Sequence, residues 1–310
     1  VDGPRTLSNA WKRRGVFACT HDAHEDFDGC VSPYHVLREK RCFPQGCLYF
    51  RWRCRKLEKG QACKRKFTAP GRLCRGCREY EEEKVHQQPR LLLAPGAWAA
   101  FRRELEAFED WFDRAVGREL EVSGEVAAVK PCFVRQVDAG SRIRFQGFLA
   151  VLRDAYLGRT RFEESPVYLR ASRSLQERHG LRAGDVLDFR ATVREDRGRV
   201  VLDRPRGIEV LSRGPGEAWT FSAGLAAKHS ATAFARQPER CLQCPAGTLL
   251  DVHQETRDGV RQYRRLLCLE GAPEPGVCGG WAQPRRNPPG RGPGAPERSS
   301  VPHGPVRHTR

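Results

Sequence analysis

Thirteen cysteines stand in this chain of 310 residues, and six of them fall within residues 41–80. That stretch reads RCFPQGCLYFRWRCRKLEKGQACKRKFTAPGRLCRGCREY. Its cysteines are Cys42, Cys47, Cys54, Cys63, Cys74 and Cys77. Cys74-Arg75-Gly76-Cys77 is a tight turn that lets two thiolates reach one tetrahedral zinc. Upstream, Cys19 and Cys30 raise the set to eight, enough for two four-cysteine zinc sites. The spacing does not fix how the eight divide. An iron–sulfur cluster takes the same ligands and is the competing reading, with free or redox thiols the third. An odd number of cysteines argues against a closed disulfide set. Lys12, Arg13 and Arg14 are followed by Cys, His and Asp, not by an apolar leader, so a reducing, cytoplasmic setting is expected. No apolar run approaches the roughly 20 residues of a membrane helix.

Between Cys19 and Cys30 lie His21, Asp22, His24, Glu25, Asp26 and Asp28, all capable of binding a metal. A hydrolytic centre built on a metal-bound water is conceivable there. The plainer readings are a structural site completed by Cys19 and Cys30 or a His, and a solvated acidic loop.

The formal net charge is +17, and residues 19–78 hold 14 Lys/Arg against 6 Asp/Glu. A zinc held by four thiolates carries a net −2, so two such sites leave this module near +4. A basic surface therefore survives metal loading. Leu48, Phe50, Trp52 and Cys54 alternate with Arg51, Arg53 and Arg55, as the two faces of one strand do. Three like charges about 6–7 Å apart repel, and an anionic partner would relieve them. The alternative is a merely hydrated face. Lys64, Arg65 and Lys66 add charge nearby. Phe50 and Trp52 read as core of this module. Tyr49, Phe67 and Tyr80 read as stacking surfaces, and Glu81 to Glu83 end the basic run.

Downstream, Trp98, Phe101, Leu105, Phe108, Phe112 and Ala115 recur at three and four spacings, which predicts one amphipathic helix over 91–117 packing between domains. Residues 118–213 predict five strands at 119–129, 142–152, 166–171, 185–194 and 199–211. A helix at 174–179 falls between the third and fourth, with Ser174 and Glu177 as a capping box and Gly180 as its stop. Gly124 in mid-strand suits a bend that closes a small barrel.

Three strands, a helix and two strands resemble the order of the OB-fold. The resemblance covers about 95 residues. It implies a ligand surface on strands two and three and the loops after strands one and four. Mapped here, that surface holds Arg135, Arg142, Arg144, Tyr168, Arg170, Arg197 and Arg199. Such a positive groove with an aromatic shelf suits single-stranded nucleic acid. A barrel used for protein contacts is the alternative.

Gly214-Pro215-Gly216 marks a boundary, and an Ala-rich helix is expected over 223–235. Cys241-Leu242-Gln243-Cys244, a hairpin across Asp258-Gly259, then Cys268 and Cys278 resemble a zinc ribbon over 214–280. The departure is the second pair, spaced C-x9-C where a ribbon has CxxC. Residues 281–310 are rich in Pro, Gly and Arg and predict a disordered tail.

The expected fold is therefore multidomain and mainly β with some α: a basic cysteine-rich metal module (1–90), a linker helix, an OB-like barrel, a zinc ribbon and a tail. The expected function is a zinc protein, with two to three ions, that binds DNA or RNA single strands through Arg/Lys phosphate contacts and aromatic stacking. The architecture resembles OB-fold and zinc-ribbon nucleic-acid-binding proteins. An iron–sulfur or metal-dependent enzyme acting on nucleic acid is one alternative, using His21, His24, Glu25, Asp26 and Asp28. A protein–protein adaptor built on barrel and ribbon is the other. P-loop, GxSxG, HExxH and dinucleotide fingerprints are absent from the sequence.

Overall fold

The computed structural model describes residues 5–27, 29–137, 142–234, 236–256, 259–275 and 278. The chain is mainly β, with a few helices set around one large mixed sheet. Its strands in chain order are β1 (Arg5–Leu7), β2 (Phe17–Ala18), β3 (Cys30–Val31), β4 (Cys47–Cys54), β5 (Tyr80–Gln87), β6 (Arg90–Leu91), β7 (Glu119–Val137), β8 (Ile143–Leu157), β9 (Thr160–Phe162), β10 (Val167–Ala171), β11 (Val186–Asp196), β12 (Arg199–Ser212), β13 (Thr232–Phe234), β14 (Gly247–Thr256) and β15 (Gly259–Cys268). The helices are α1 (Arg55–Glu58), α2 (Pro95–Ala115), α3 (Arg173–His179), α4 (Phe221–Ser230) and α5 (Glu239–Gln243).

The helical period read from 91–117 produces α2. Pro95 occupies its first turn, where a missing N–H costs nothing. Phe101, Phe108, Trp111, Phe112 and Ala115 are buried along one stripe. Trp11 meets Phe108 edge-on at 5.0 Å and Phe112 at 4.8 Å, while Trp111 meets Phe162 at 4.7 Å. The helix thus joins the N-terminal segment to the sheet through aromatic contacts.

Alternation of apolar and polar residues sets the sheet. β7 pairs antiparallel with β8, and β8 with β10. β10 pairs parallel with β12, β12 antiparallel with β11, and β11 antiparallel with β7. Val122, Val126, Leu152, Leu169, Leu187, Phe189, Val193 and Leu202 point inward and are buried. Gly124 lies at a register shift of β7 against β8, and a Cβ there would stand 3.2 Å from Ala155 Cα. α3 follows β10, but it starts at Arg173 rather than Ser174. Ser172 is the cap, its Oγ accepting the Leu175 N–H at 3.2 Å, because Ser172 is still extended as β10 ends. Gly180 ends the helix with φ +54°.

Two pairings extend the sheet. β1 runs parallel to β9, and β14 runs parallel to the second half of β7, with Leu250 opposite Phe133. β15 and β13 follow at the edge. A second core cluster of Phe133, Leu250, Val252, Leu267 and Leu269 sits under this extension. The expected C-terminal hairpin is therefore longer than its sequence signal, and it joins the same sheet as 118–213. Asp258 of its turn and residues 281–310 lie outside the described residues.

The N-terminal residues Ala10, Trp11, Val16, Phe17, Cys19, Val31, Val36 and Cys42 share the main core with α2 and the sheet. The cysteine-rich stretch divides accordingly. Its beginning is rooted in the core, whereas β4 and β5 form a separate two-stranded ribbon. From Leu48 to Gln88 no described residue is buried.

Candidate functional site

The Arg51, Arg53 and Arg55 ladder is where the sequence reading needs correction. β5 places Glu83, Glu82 and Glu81 opposite Arg51, Trp52 and Arg53. Arg51 also grips Asp22, with Nε and an Nη donating at 2.9 and 2.7 Å. Arg53 donates to Glu58 at 2.5 Å and Arg55 to Glu81 at 2.6 Å. The acids taken to end the basic run are thus the cross-strand partners of the arginines, and the repulsion needs no external anion. The apolar face is not a buried core either, Trp52 and Cys54 being half-buried. Leu48 and Phe50 are 62% and 59% exposed rather than core, while Tyr49 stacks on His21 at 3.8 Å and donates to Asp22. Of the neighbouring charges, Lys64, Arg65 and Lys66 are exposed, with Arg65 donating to Leu73 O at 2.9 Å.

Among the described residues no disulfide joins any of the cysteines. Cys42 lies close enough to Cys47 and Cys19 for their charges, with burial as the larger effect, to push its thiol pKa up. Cys30 is exposed on β3. Cys54 ends β4 opposite Tyr80, and Cys74 and Cys77 bracket the turn that leads into β5. Backbone N–H groups of Phe67 and Arg65 hydrogen-bond the Cys63 sulfur and pull its pKa down, favouring the thiolate that a metal takes. Cys241 and Cys268 are buried together with Phe234 and Leu266. Cys244 and Cys278 are half-buried. Among the described residues, no three Cys, His, Asp or Glu side chains converge as a metal-holding group. The donor chemistry is present, but its convergence is not.

The Cys19–Cys30 segment contributes a histidine pair. His24 Nε2 lies 3.1 Å from His35 Nε2, and His35 Nδ1 lies 2.8 Å from Glu39. Burial, then the charges of His35, His21 and Lys40, push His24 down to about 4. Asp28 and the side chains of Glu25 and Asp26 lie outside the described residues. Asp22 is engaged by Arg51 and Tyr49.

A cleft of about 2590 Å³ runs between the N-terminal segment, the β8–β10–β12 face and the C-terminal hairpin. Eleven Lys/Arg and six Asp/Glu line it, so its walls are net positive. Tyr168, Arg170, Arg197 and Arg199, expected on the ligand surface, are among them. Arg142 and Arg144 are exposed but stand outside the cleft. Sequence reasoning missed Lys12, Lys130, Arg204 and Arg264, which also line it. Their only signal was charge, which 55 Lys/Arg share.

Two cleft cations are structural. Arg264 is clamped between Asp251 (2.6 Å) and both oxygens of Asp196 (2.8 and 2.6 Å). Lys130 donates to the carbonyls of Leu242, Cys244 and Gly247 at 2.9, 2.8 and 2.7 Å, fastening the Cys241–Cys244 turn to β7. The cleft wall at residues 195–199 is fixed by the N-terminal segment. Asn9 Nδ2 donates to Gly198 O at 3.0 Å, and Tyr34 OH donates to Glu195 at 3.0 Å.

Comparison with known proteins finds no matching family model, no matching curated protein and no matching solved structure. Among the described residues, no helix is long and apolar enough to cross a membrane.

Proposed function

We propose that the chain binds single-stranded nucleic acid in the cleft, by phosphate contacts from Lys and Arg and by stacking on Tyr168. The observation that carries this reading is the net-positive cleft with Tyr168 in its wall, assembled from three separate parts of the chain. An extended polyanion with flat bases fits such a surface, because each neutralised phosphate releases counterions and each stacked base adds about 1–3 kcal/mol. On an OB-like reading of residues 118–213, the wall strands β8 and β10 correspond to the ligand-binding strands. The pairing order β7–β8–β10–β12–β11, returning to β7, supports reading residues 118–213 as an OB-like barrel.

Zinc belongs to the same proposal. From Leu48 to Gln88 burial supplies no core, and a coreless segment of this length needs a staple. Cys54, Cys63, Cys74 and Cys77 are the donors available within it. Cys19, Cys42 and Cys47, which root the stretch in the main core, form the other group, with Cys30 nearby on β3. Cys241, Cys244, Cys268 and Cys278 are the donors of a zinc-ribbon-like C-terminal site. Such ions would supply folding energy, and no chemical step is assigned to them.

The test is binding of a labelled oligothymidylate or oligouridylate across salt concentrations, paired with metal analysis and a visible spectrum. Steep weakening with salt and two to three equivalents of zinc support the reading. Affinity that is flat in salt removes the cleft mechanism, and iron with visible absorbance replaces zinc by a cluster. The exposed Leu48 and Phe50 favour, as the second reading, a protein–protein adaptor that docks through β4 of the N-terminal module rather than through barrel and ribbon. Saturable binding to a protein, with none to nucleic acid, selects it.

A further inference from the structure

We propose that Lys12 and Arg199 form an anchor for one phosphate group, placed where the N-terminal segment meets the sheet. As a contact to nucleic acid it rests on the reading above; as an anion site it stands on its own geometry.

Position comes first. Lys12 closes the short helical turn Ala10–Lys12, whose Ala10 and Trp11 are buried. Asn9, just before it, donates its side-chain N–H to Gly198 O at 3.0 Å and its backbone N–H to Ser165 Oγ at 2.8 Å. The turn is thereby pinned to the loop that leads into Arg199. Two residues 187 positions apart thus line one cleft, near enough that Arg199 is the strongest charge acting on Lys12.

Charge comes second. Four cations, Lys12, Arg170, Arg199 and Arg264, gather around the carboxylates of Asp196 and Asp251. Arg264 takes both carboxylates at hydrogen-bond distance, and Arg170 reaches Asp196 at 3.9 Å. Among the described residues, neither Lys12 nor Arg199 has an ion pair within 4.0 Å. Each lies over a ring instead, Lys12 5.7 Å from the Tyr34 centroid and Arg199 5.0 Å from that of Tyr168. With Glu39, which also acts on Lys12, counted beside the two aspartates, the cluster still keeps a net positive charge that one phosphate group would offset.

The proton affinity of Lys12 reports the same deficit. Lys12 keeps an exposed surface, yet protein atoms crowd around its ammonium. This burial, followed by the charges of Arg199 and Arg264, outweighs Asp196 and Glu39 and pushes its pKa down to about 8. A bound anion reverses that balance.

The experiment uses the full chain and the variants Lys12→Gln, Arg199→Gln and Lys12→Arg. Arg190→Gln, exposed on β11 outside the cleft, is the control. Circular dichroism checks that each is folded. Each Gln variant is expected to lower oligothymidylate affinity on the order of tenfold and to reduce the salt slope by about one. Lys12→Arg retains affinity at pH 7, and Arg190→Gln changes nothing. The second readout needs no oligonucleotide: inorganic phosphate is expected to raise the Lys12 pKa, followed by NMR of the labelled lysine ε-carbon. Unchanged oligothymidylate binding in both Gln variants overturns the anchor while leaving the cleft reading standing. A wild-type chain that ignores the oligonucleotide but whose Lys12 responds to phosphate keeps the anion site and removes nucleic acid as its ligand. No response of Lys12 to phosphate overturns the anchor outright.

Discussion

Gly198 and Tyr34 are in contact so close that a Cβ on Gly198 would stand 2.7 Å from Tyr34 Cγ. Gly198 also has φ +81°, a conformation that side chains resist. Replacing it with Ala is expected to cost about 2–3 kcal/mol, from backbone strain and from pushing Tyr34 off the loop. Urea unfolding measures this. Tyr34→Ala in the Gly198→Ala background should return part of the loss, and a fully additive pair would mean that the contact is not the cause.

Lys130 makes a second measurable contribution. Its Nζ serves three carbonyls of the loop that carries Cys241 and Cys244. Lys130→Met keeps the stem but strands those acceptors, so a loss of roughly 2–4 kcal/mol is expected. Hydrogen exchange should show protection lost first in 241–247. A stability unchanged within 0.5 kcal/mol would contradict the role, being the size of an ordinary surface substitution.

The pKa of Lys12 gives a pH dependence with a definite sign. In the folded chain the ammonium loses its proton above about 8, whereas the ordinary lysine value, which holds in the unfolded chain, is 10.5. The unfolded state therefore holds more protons between these values, and this group's contribution to stability rises with pH across that window. Polyanion affinity moves the opposite way. From pH 7 to pH 9 the wild type should lose affinity relative to Lys12→Arg, which keeps its charge. Parallel profiles for the two would refute the assignment.

Metal removal should act locally. A chelator is expected to expose 55–79 to trypsin, since its lysines and arginines have no buried neighbours in that stretch. The β signal of the ten-stranded sheet should persist, because its buried residues hold it without metal. Unchanged cleavage after full metal removal would show that no ion staples the segment.

Were Arg51, Arg53 and Arg55 an unpaired ladder, replacing all three by Ala would weaken polyanion binding. With carboxylates on each arginine, the expected change in affinity is under about threefold, alongside only a small loss of stability, because exposed ion pairs contribute little. A drop as large as that from Arg199→Gln would restore the ladder as the binding face.

This reversal marks the boundary of what the residues alone convey. α2 and the five strands of 118–213 were legible in place, because period and alternation are local, but β7 and β8 run on to Val137 and Leu157, well past the expected 129 and 152, and β9 carried no signal. Glu81 to Glu83 were legible as acids but not as partners, since pairing depends on where β5 returns beside β4. Lys12 was one of 55 cations until the chain brought it to Arg199. Ser174 misled because the residue two before it also carries a hydroxyl, and the end of β10 decided between them. The donors for metal were visible as thiols, whereas their grouping depends on the path of the backbone.

β7 spans 19 residues and serves two neighbourhoods in succession, β11 along its first half and β14 along its second. The C-terminal unit is therefore not a detachable cassette. Cutting the chain at the Gly214–Gly216 boundary would strip Phe133 and a row of backbone amides bare along Phe133–Val137, creating a sticky edge open to a second molecule. The central strands alone should self-associate, and any lineage that trimmed this chain there would have to re-cover that edge.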